Sequence, residues 1–518
     1  MIYLYNKKNE ETFLIFNALV RSFTKSQVTL FSNKFEIQLD KIKILVISSC
    51  DDNIIEIIDI IKNNKIKVLI FGKLNKNIIN ILKLEGVEII DENFHYDHKI
   101  KKAKKNQPSE SNLFIKYKRS KILDVEEFLT RPLVRYDFED EWNNHNYGEI
   151  RTTQDFWSIS QNVIIRDNLE LAYIYDTAIN KKICSFIAFW ENKNQILWVN
   201  REASLIDSHE WRIIECFICN IGGKNFNALP LINEVPFGFD SCSTMRLDCD
   251  EDIKSSKNLD LFYNSKKIPL SFALVGSKLD LKNLNFLKNL KSPKHFLSHS
   301  FLHKEHWGGS EETCAEELCK NHELIKEEFG IELKFAVSPF HQSPSFLFKV
   351  LEQNKYKGFI SGIINCYPEM MISRGGIIDQ KNNLISHSQQ CMLHGDCIAG
   401  NQTELIDNYK HSAKLSTYSR SIFGYLDHPF SDRYQYGWSS EKFRILCHSY
   451  LIDFLKKKRN LFLSEEDALN FIYNKNNISI VKTKGKFLIN KNSYEPLSYK
   501  VEYLKKEFEL SKSLIIND

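Results

Sequence analysis

Two stretches of this chain carry residue types that could do chemistry together. The first is 245-MRLDCDEDI-253, in which Asp248 and Asp250 stand two apart after a short apolar approach. Residues i and i+2 of a strand share a face, so both carboxylates would emerge on one side at the strand's mouth. Carboxylates that close repel, and the arrangement is costly without a metal ion, a basic side chain or a shared proton between them. The second is 297-LSHSFLHKEHWGG-309, where His299 and His303 stand four apart, a spacing that one helical turn would aim in one direction. Two imidazoles and one carboxylate make the three-ligand set of a catalytic divalent-metal site, with a position left for water and substrate. Either stretch alone reads as a solvated acidic turn or a surface histidine pair. Together, each closing a strand, they point to a metal centre.

The elements that must position these residues follow a repeating strand, turn, helix order from 236 to about 455. PLSFALVG and HFLSHS read as strands, LKNLNFLKNL as a helix, followed by a helix at about 311–328, the strand ELKFAVS and a helix at 345–354. Such order predicts a parallel barrel or sheet whose chemistry sits at the strand C-termini, where the polar candidates fall. Upstream, KILVISS (43–49), KVLIFG (67–72) and VEII (87–90) alternate with helical patterns, predicting a small doubly wound, Rossmann-like α/β domain over 1–95. No Gly-rich phosphate loop opens either of its helices, so nucleotide binding there has no support. Residues 96–235 read as a basic linker, then a mixed α+β segment with the strands LELAYIYDT, CSFIAFW and ILWV. That segment also carries 142-WNNHNYGEIR-151, a polar cluster that fits a pocket wall or a pinned turn equally well. Residues 236–457 form the barrel-like unit, and 458–518 a small β-rich appendage.

Composition bounds the rest. A chain of 518 residues with 43% hydrophobic and 26% charged residues is an ordinary globular composition, long enough for several domains. Net charge of +4 is too balanced to argue for nucleic acid or a membrane surface. No stretch approaches 18 apolar residues, so no transmembrane segment is expected, and the N-terminus has no secretory pattern. The twelve cysteines form no framework; the one CxxC pair, Cys216 and Cys219, lies on a helical apolar pattern and reads as buried thiols. Together these predict a cytoplasmic protein with reduced cysteines, and the sequence is compatible with a homo-oligomer.

Between about 236 and 435 the sequence resembles the NodB-like polysaccharide deacetylases, carbohydrate esterase family 4. LDCDED resembles that family's first motif, which implies Asp248 as catalytic base and Asp250 as metal ligand, and HSFLH resembles the second, implying His299 and His303 as the other ligands. The third motif is matched by Pro339 and Phe340, but its arginine position is Val337; Arg246 alternates onto the face of Asp248 as a substitute. Two stretches compete for the Leu-x-His motif that supplies the general acid: CMLHGD with His394, and SIFGYLDHPF with His428. The resemblance implies a distorted (β/α) barrel and a zinc ion, or another divalent metal such as Co2+, Ni2+ or Mn2+. It implies removal of an N-acetyl group from an acetamido sugar, with Arg246, Pro339, Phe340, His341 and Trp438 lining the substrate site and Tyr434 and Tyr436 as further sugar-stacking walls. With no secretory pattern, a nucleotide-linked or lipid-linked glycan precursor for surface glycan assembly is the expected substrate. The alternative, motivated by Val337, is a catalytically inactive deacetylase-like protein that binds glycan or acts as a scaffold.

Overall fold

Parallel strands buried on both faces read as near-continuous apolar runs, and the computed structural model contains two such sheets. It describes residues 1–5, 10–33, 36, 42–48, 54–91, 113–120, 130–132, 159–201, 208–222, 226–360, 363–364, 374–378, 383–387, 390–395, 406–493 and 495–517. The cluster 142–151 lies outside them.

The N-terminal sheet has nine strands, in the order Val28–Phe31, Ile2–Tyr5, Ile44–Ile47, Lys67–Phe71, Gln195–Val199, Lys181–Glu191, Glu170–Asp176, Leu113–Tyr117 and Thr130–Pro132. The first five run parallel; the others add antiparallel. KILVISS and KVLIFG are neighbours in it, as their apolar runs suggest. The division expected near residue 95 falls inside this sheet, because Gln195–Val199 pairs directly with Lys67–Phe71. VEII departs from the expected pattern: Val87–Asp91 pairs antiparallel with Asn162–Ile165 in a sheet of its own. Cys216 and Cys219 lie on the helix Ser208–Cys219, with Cys219 fully buried.

The second sheet has eleven strands. Its path runs Ile363–Ile364, Gln390–Met392, Ile422–Asp427, Ser241–Cys249, Ser271–Leu274, His295–Ser298, Phe335–Val337, Gly358–Ile360, Ile385–His387 and Gly376–Ile377, with Asn460–Leu463 also pairing Ser241–Cys249. Every pairing but that of Gly376–Ile377 is parallel. The helices Lys257–Ser265, Leu281–Lys288, Glu311–Phe329, Leu347–Gln353, Asp407–Ser419 and Glu441–Lys456 follow strands in turn, which is the β/α order read from the sequence. Among the described residues no pairing joins the two ends of the path, so the hydrogen bonds trace an α/β sheet rather than a closed ring.

Ser241–Cys249 is the axis of this half. All nine of its residues are buried, and its pleat divides them: Met245, Leu247 and Cys249 pack into the apolar core, while Arg246 and Asp248 alternate onto the opposite face. Parallel register then sets its neighbours, with Leu247 beside Asp427 and Asp248 beside Ala273. The segment expected as a separate appendage is woven into this frame. Asn460–Leu463 extends the sheet, and Tyr499–Tyr503 pairs with Leu231–Pro236; only Ile478–Thr483, Lys486–Lys491 and Ser513–Asn517 form a sheet by themselves.

Candidate metal centre and acid–base site

Because the strands are parallel, their C-termini open onto one edge, and the candidate residues collect there. Asp250 follows Ser241–Cys249, His299 and His303 follow His295–Ser298, Val337 ends Phe335–Val337, His394 follows Gln390–Met392 and His428 follows Ile422–Asp427.

The histidine pair is not on a helix. His299 and His303 lie in a loop, with Ser300 at φ 62° and His303 at φ 55°. The Ser300 hydroxyl accepts the His303 N–H at 2.9 Å, and buried Glu317, on the helix Glu311–Phe329, accepts the N–H groups of Phe301 and Leu302 at 3.0 and 2.6 Å. Left-handed backbone at a non-glycine residue costs about 1–2 kcal/mol. It recurs at His306, Trp307, Phe340, His341 and Tyr436, so strain is concentrated at this edge.

The donor atoms meet closely. His299 Nε2 and His303 Nε2 are 3.2 Å apart, and they lie 3.1 and 3.4 Å from Asp250 Oδ1. Ligands about 2.1 Å from a tetrahedral ion stand roughly 3.3 Å from each other, so the three separations fit such an ion. Two further observations agree. His299 Nδ1 is 3.0 Å from the Val337 carbonyl, which can only accept, so Nδ1 carries the proton and the Nε2 lone pair faces the group. Asp250 Oδ1 is buried without a hydrogen-bond partner. Burial brings the His303 imidazole down to about 4, which keeps it neutral. Among the described residues this is the single cluster with metal-ligand geometry.

Beside it sits the second carboxylate. Asp248 is fully buried and takes a two-pronged hydrogen bond from Arg246, Nε to Oδ1 at 2.6 Å and Nη2 to Oδ2 at 3.1 Å. Burial pushes its pKa up, but the Arg246 guanidinium and the adjacent His299 overcome that and hold it well below the usual carboxylate range. Arg246 reaches Glu465 with Nη1 at 3.5 Å. It is fully buried and therefore props the carboxylate from beneath; it does not line an open substrate wall as expected. Val337 instead contributes its backbone carbonyl, to His299.

The two histidines that compete for the acid's place are both present and joined. His394 Nε2 lies 2.7 Å from His428 Nδ1, and His428 Nε2 lies 3.4 Å from Asp250 Oδ2. His428 thus faces the metal cluster, and His394 backs it. Burial lowers the His428 pKa, but Asp250 outweighs it and raises the net value. The Tyr436 ring stacks on His428 with centroids 4.4 Å apart and planes 18° from parallel. Phe340 lies over His303 at 4.6 Å. Pro339 is buried and His341 partly so; burial sets the His341 imidazole well below its ordinary pKa even with Asp248 nearby.

Trp438 is a correction. It is 1% exposed, and its indole donates to Asp427 Oδ1 at 3.2 Å, so it is not a sugar-stacking wall. Asp427, unnoticed as a functional position in the sequence, is the hub behind the acid. It also accepts from Arg444 Nε at 2.6 Å, His448 Nε2 at 3.0 Å and the His428 N–H at 2.8 Å. Arg444 Nη2 further binds the His428 carbonyl at 2.6 Å. His448 Nδ1 in turn meets the Tyr263 hydroxyl at 2.9 Å, and Tyr263 meets Tyr425 at 3.0 Å. The available signal was Arg444 and His448, one helical turn apart on Glu441–Lys456.

No family model and no curated protein matches the sequence. Similar solved structures include the Xyl-CE4 domain of a multidomain xylanase from the hindgut metagenome of Trinervitermes trinervoides, at 14% identity over 44% of this chain and 90% of that one, TM-score 0.30. A family 4 acetyl xylan esterase from Clostridium thermocellum, in complex with a cobalt ion, is similar at 12% identity over 44% and 91%, TM-score 0.31. Agd3, a carbohydrate deacetylase, is similar at 7% identity over 99% of both chains, TM-score 0.42. At these identities and scores the likeness assigns no residue its role, and the chemistry is read from the side chains themselves. No helix among the described residues is long and apolar enough to cross a membrane.

Proposed function

We propose that this protein is a divalent-metal-dependent hydrolase that removes the N-acetyl group of an acetamido sugar. The observation that carries this reading is the triangle of Asp250 Oδ1, His299 Nε2 and His303 Nε2, with sides of 3.1, 3.2 and 3.4 Å, beside a carboxylate held ionised by Arg246. These three residues would hold the ion, zinc or a similar metal; when bound it supplies Lewis acidity toward the acetamide carbonyl and makes water more acidic.

The remaining roles belong to the chain. Asp248 accepts the proton of the attacking water, which adds to the acetamide carbon. Arg246 keeps that carboxylate charged and fixed in orientation, the task that the resemblance gives to an arginine at position 337. His428 delivers a proton to the sugar nitrogen as the C–N bond breaks, giving acetate and the free amine. His394 holds the His428 ring, Asp427 holds its backbone N–H, and Tyr436 covers its face. Phe340, His341 and Tyr436 edge the opening where the sugar would lie. A nucleotide-linked or lipid-linked precursor in surface glycan biosynthesis is the substrate class we favour.

The alternative of an inactive glycan-binding or scaffold protein rests on Val337, and the Arg246–Asp248 pair supplies what that substitution removes. The deciding experiment is acetate release from a panel of acetamido sugars by zinc- and cobalt-loaded protein. We expect release that chelator abolishes and metal restores. Stoichiometric metal with no release from any acetamide would favour the alternative.

A further inference from the structure

Far along the chain from these residues, the last turn of the helix Glu465–Lys475 meets the end of the helix Glu10–Phe23 across a cavity of about 70 Å3. Its lining includes Arg21, Lys25 and Lys475 with Thr24 and Asn476, and no carboxylate among the described residues lines it. Lys475 is 3% exposed, yet its Nζ has no hydrogen-bond partner among the described residues, and the buried Asn476 Nδ2 has none either. A lysine ammonium offers three donors and no acceptor, and leaving it buried and unpaired is costly.

The nearby carboxylates are engaged except at one atom, Glu234 Oε2, which is buried without a hydrogen-bond partner among the described residues. Glu215 takes Arg374 Nε at 2.8 Å and the Ser22 hydroxyl at 2.7 Å. Glu234 accepts the Gly375 N–H. Arg21 is buried and gives Nε and Nη2 to the Ile377 carbonyl at 2.9 and 2.5 Å, which fixes its charge at the wall. Among its described lining residues the cavity holds three cationic side chains and no anionic one. Since one water occupies about 10–15 Å3 by the same measure, the space holds several waters or one group of phosphate size.

We propose that this cavity binds a small oxyanion, inorganic phosphate or the phosphoryl group of a phosphorylated sugar, through Lys475 and Asn476 with Arg21 and Lys25 supplying charge. Burial brings the Lys475 pKa down to about 8, and an anion beside it would restore the charged form. The site is separate from the metal centre, although one rigid helix carries Lys475 at one end and Glu465, which touches Arg246, at the other.

Isothermal calorimetry of the full chain with inorganic phosphate and with glucose 6-phosphate, against chloride at equal ionic strength, tests this. Saturable binding of either is expected, weakened at least about tenfold by Lys475→Met, which keeps the stem and removes the donors. Lys25→Glu, on an exposed residue with little risk to folding, should weaken it several-fold. Phosphate binding without glucose 6-phosphate would identify the free ion; tighter glucose 6-phosphate would identify a phosphorylated metabolite. No saturable binding of either, or equal binding by both variants, would overturn the proposal and leave Lys475 joined to Glu234 through water.

Discussion

Two of the buried charge networks among the described residues differ in what they leave unpaired. At the strand ends, Arg246–Asp248 and Asp427–Arg444 sit beside the histidines. At the junction with the N-terminal sheet, Glu215 is gripped by Arg374, and Glu502 by Arg212 at 2.7 and 2.9 Å. Both networks are almost fully buried and both pair opposite charges, so burial of charge does not by itself mark function. The difference lies in what is left unpaired. The carboxylates at the junction are consumed by guanidinium and amide donors. At the strand ends, Asp250 Oδ1 and the Nε2 atoms of His299 and His303 converge within 3.4 Å of one another, and Asp250 Oδ1 has no hydrogen-bond partner among the described residues.

That comparison can be broken in order of effect. The largest is expected from His299→Ala with His303→Ala: elemental analysis should show near-stoichiometric divalent metal in the wild type and almost none in the double variant, with acetate release lost. Retention of metal by the double variant would dissolve the distinction. Next, Asp248→Asn should keep the metal and lower kcat by about 10²–10⁴-fold, read by acetate release and metal content on the same sample. Glu215→Gln tests the other network. Breaking a buried pair by removing one partner costs about 3–5 kcal/mol, so denaturant unfolding should show the loss while metal content stays unchanged.

The smallest effect concerns acid. Burial pushes the Glu502 carboxyl up, but Arg212 and Arg420 outweigh it and bring the folded value to about 2, below the ordinary 4.5. A carboxyl with a depressed folded pKa contributes stability above its unfolded pKa and loses it as pH falls. Stability held by Glu502 is therefore present above 4.5 and drains away toward about 2. Glu502→Gln, less stable at neutral pH, should show a flatter pH dependence in that window when unfolding is followed by circular dichroism.

Much of the candidate site was legible because strand-end chemistry leaves a short-range signature. Arg246 could be placed on the Asp248 face because a pleat repeats every two residues, while Asp250 lies one residue past the strand's end. The histidine pair was found, yet its helical explanation fails. A spacing of four also suits a loop once Ser300 and His303 enter left-handed backbone, and no periodicity reports that. Trp438 and Asp427 were unreadable for a different reason: their roles depend on Arg444 and His448 from a later helix, a contact between elements. The same holds for the nine-stranded sheet, where Lys67–Phe71 waits for a partner at Gln195–Val199 that no local pattern announces.

One feature bears on how the protein is made. Asn460–Leu463 pairs with Ser241–Thr244, and Glu465 reaches Arg246 from 219 positions later in the chain. Chains emerge from the ribosome N-terminus first, so Asp248 and the histidines are synthesised long before the segment that buttresses Arg246. Until residue 465 arrives, the central strand lacks that neighbour and Arg246 has no Glu465 to meet. The edge that carries the candidate site is completed late in translation, and a chain interrupted before that point would carry every candidate ligand while lacking the buttress behind Asp248.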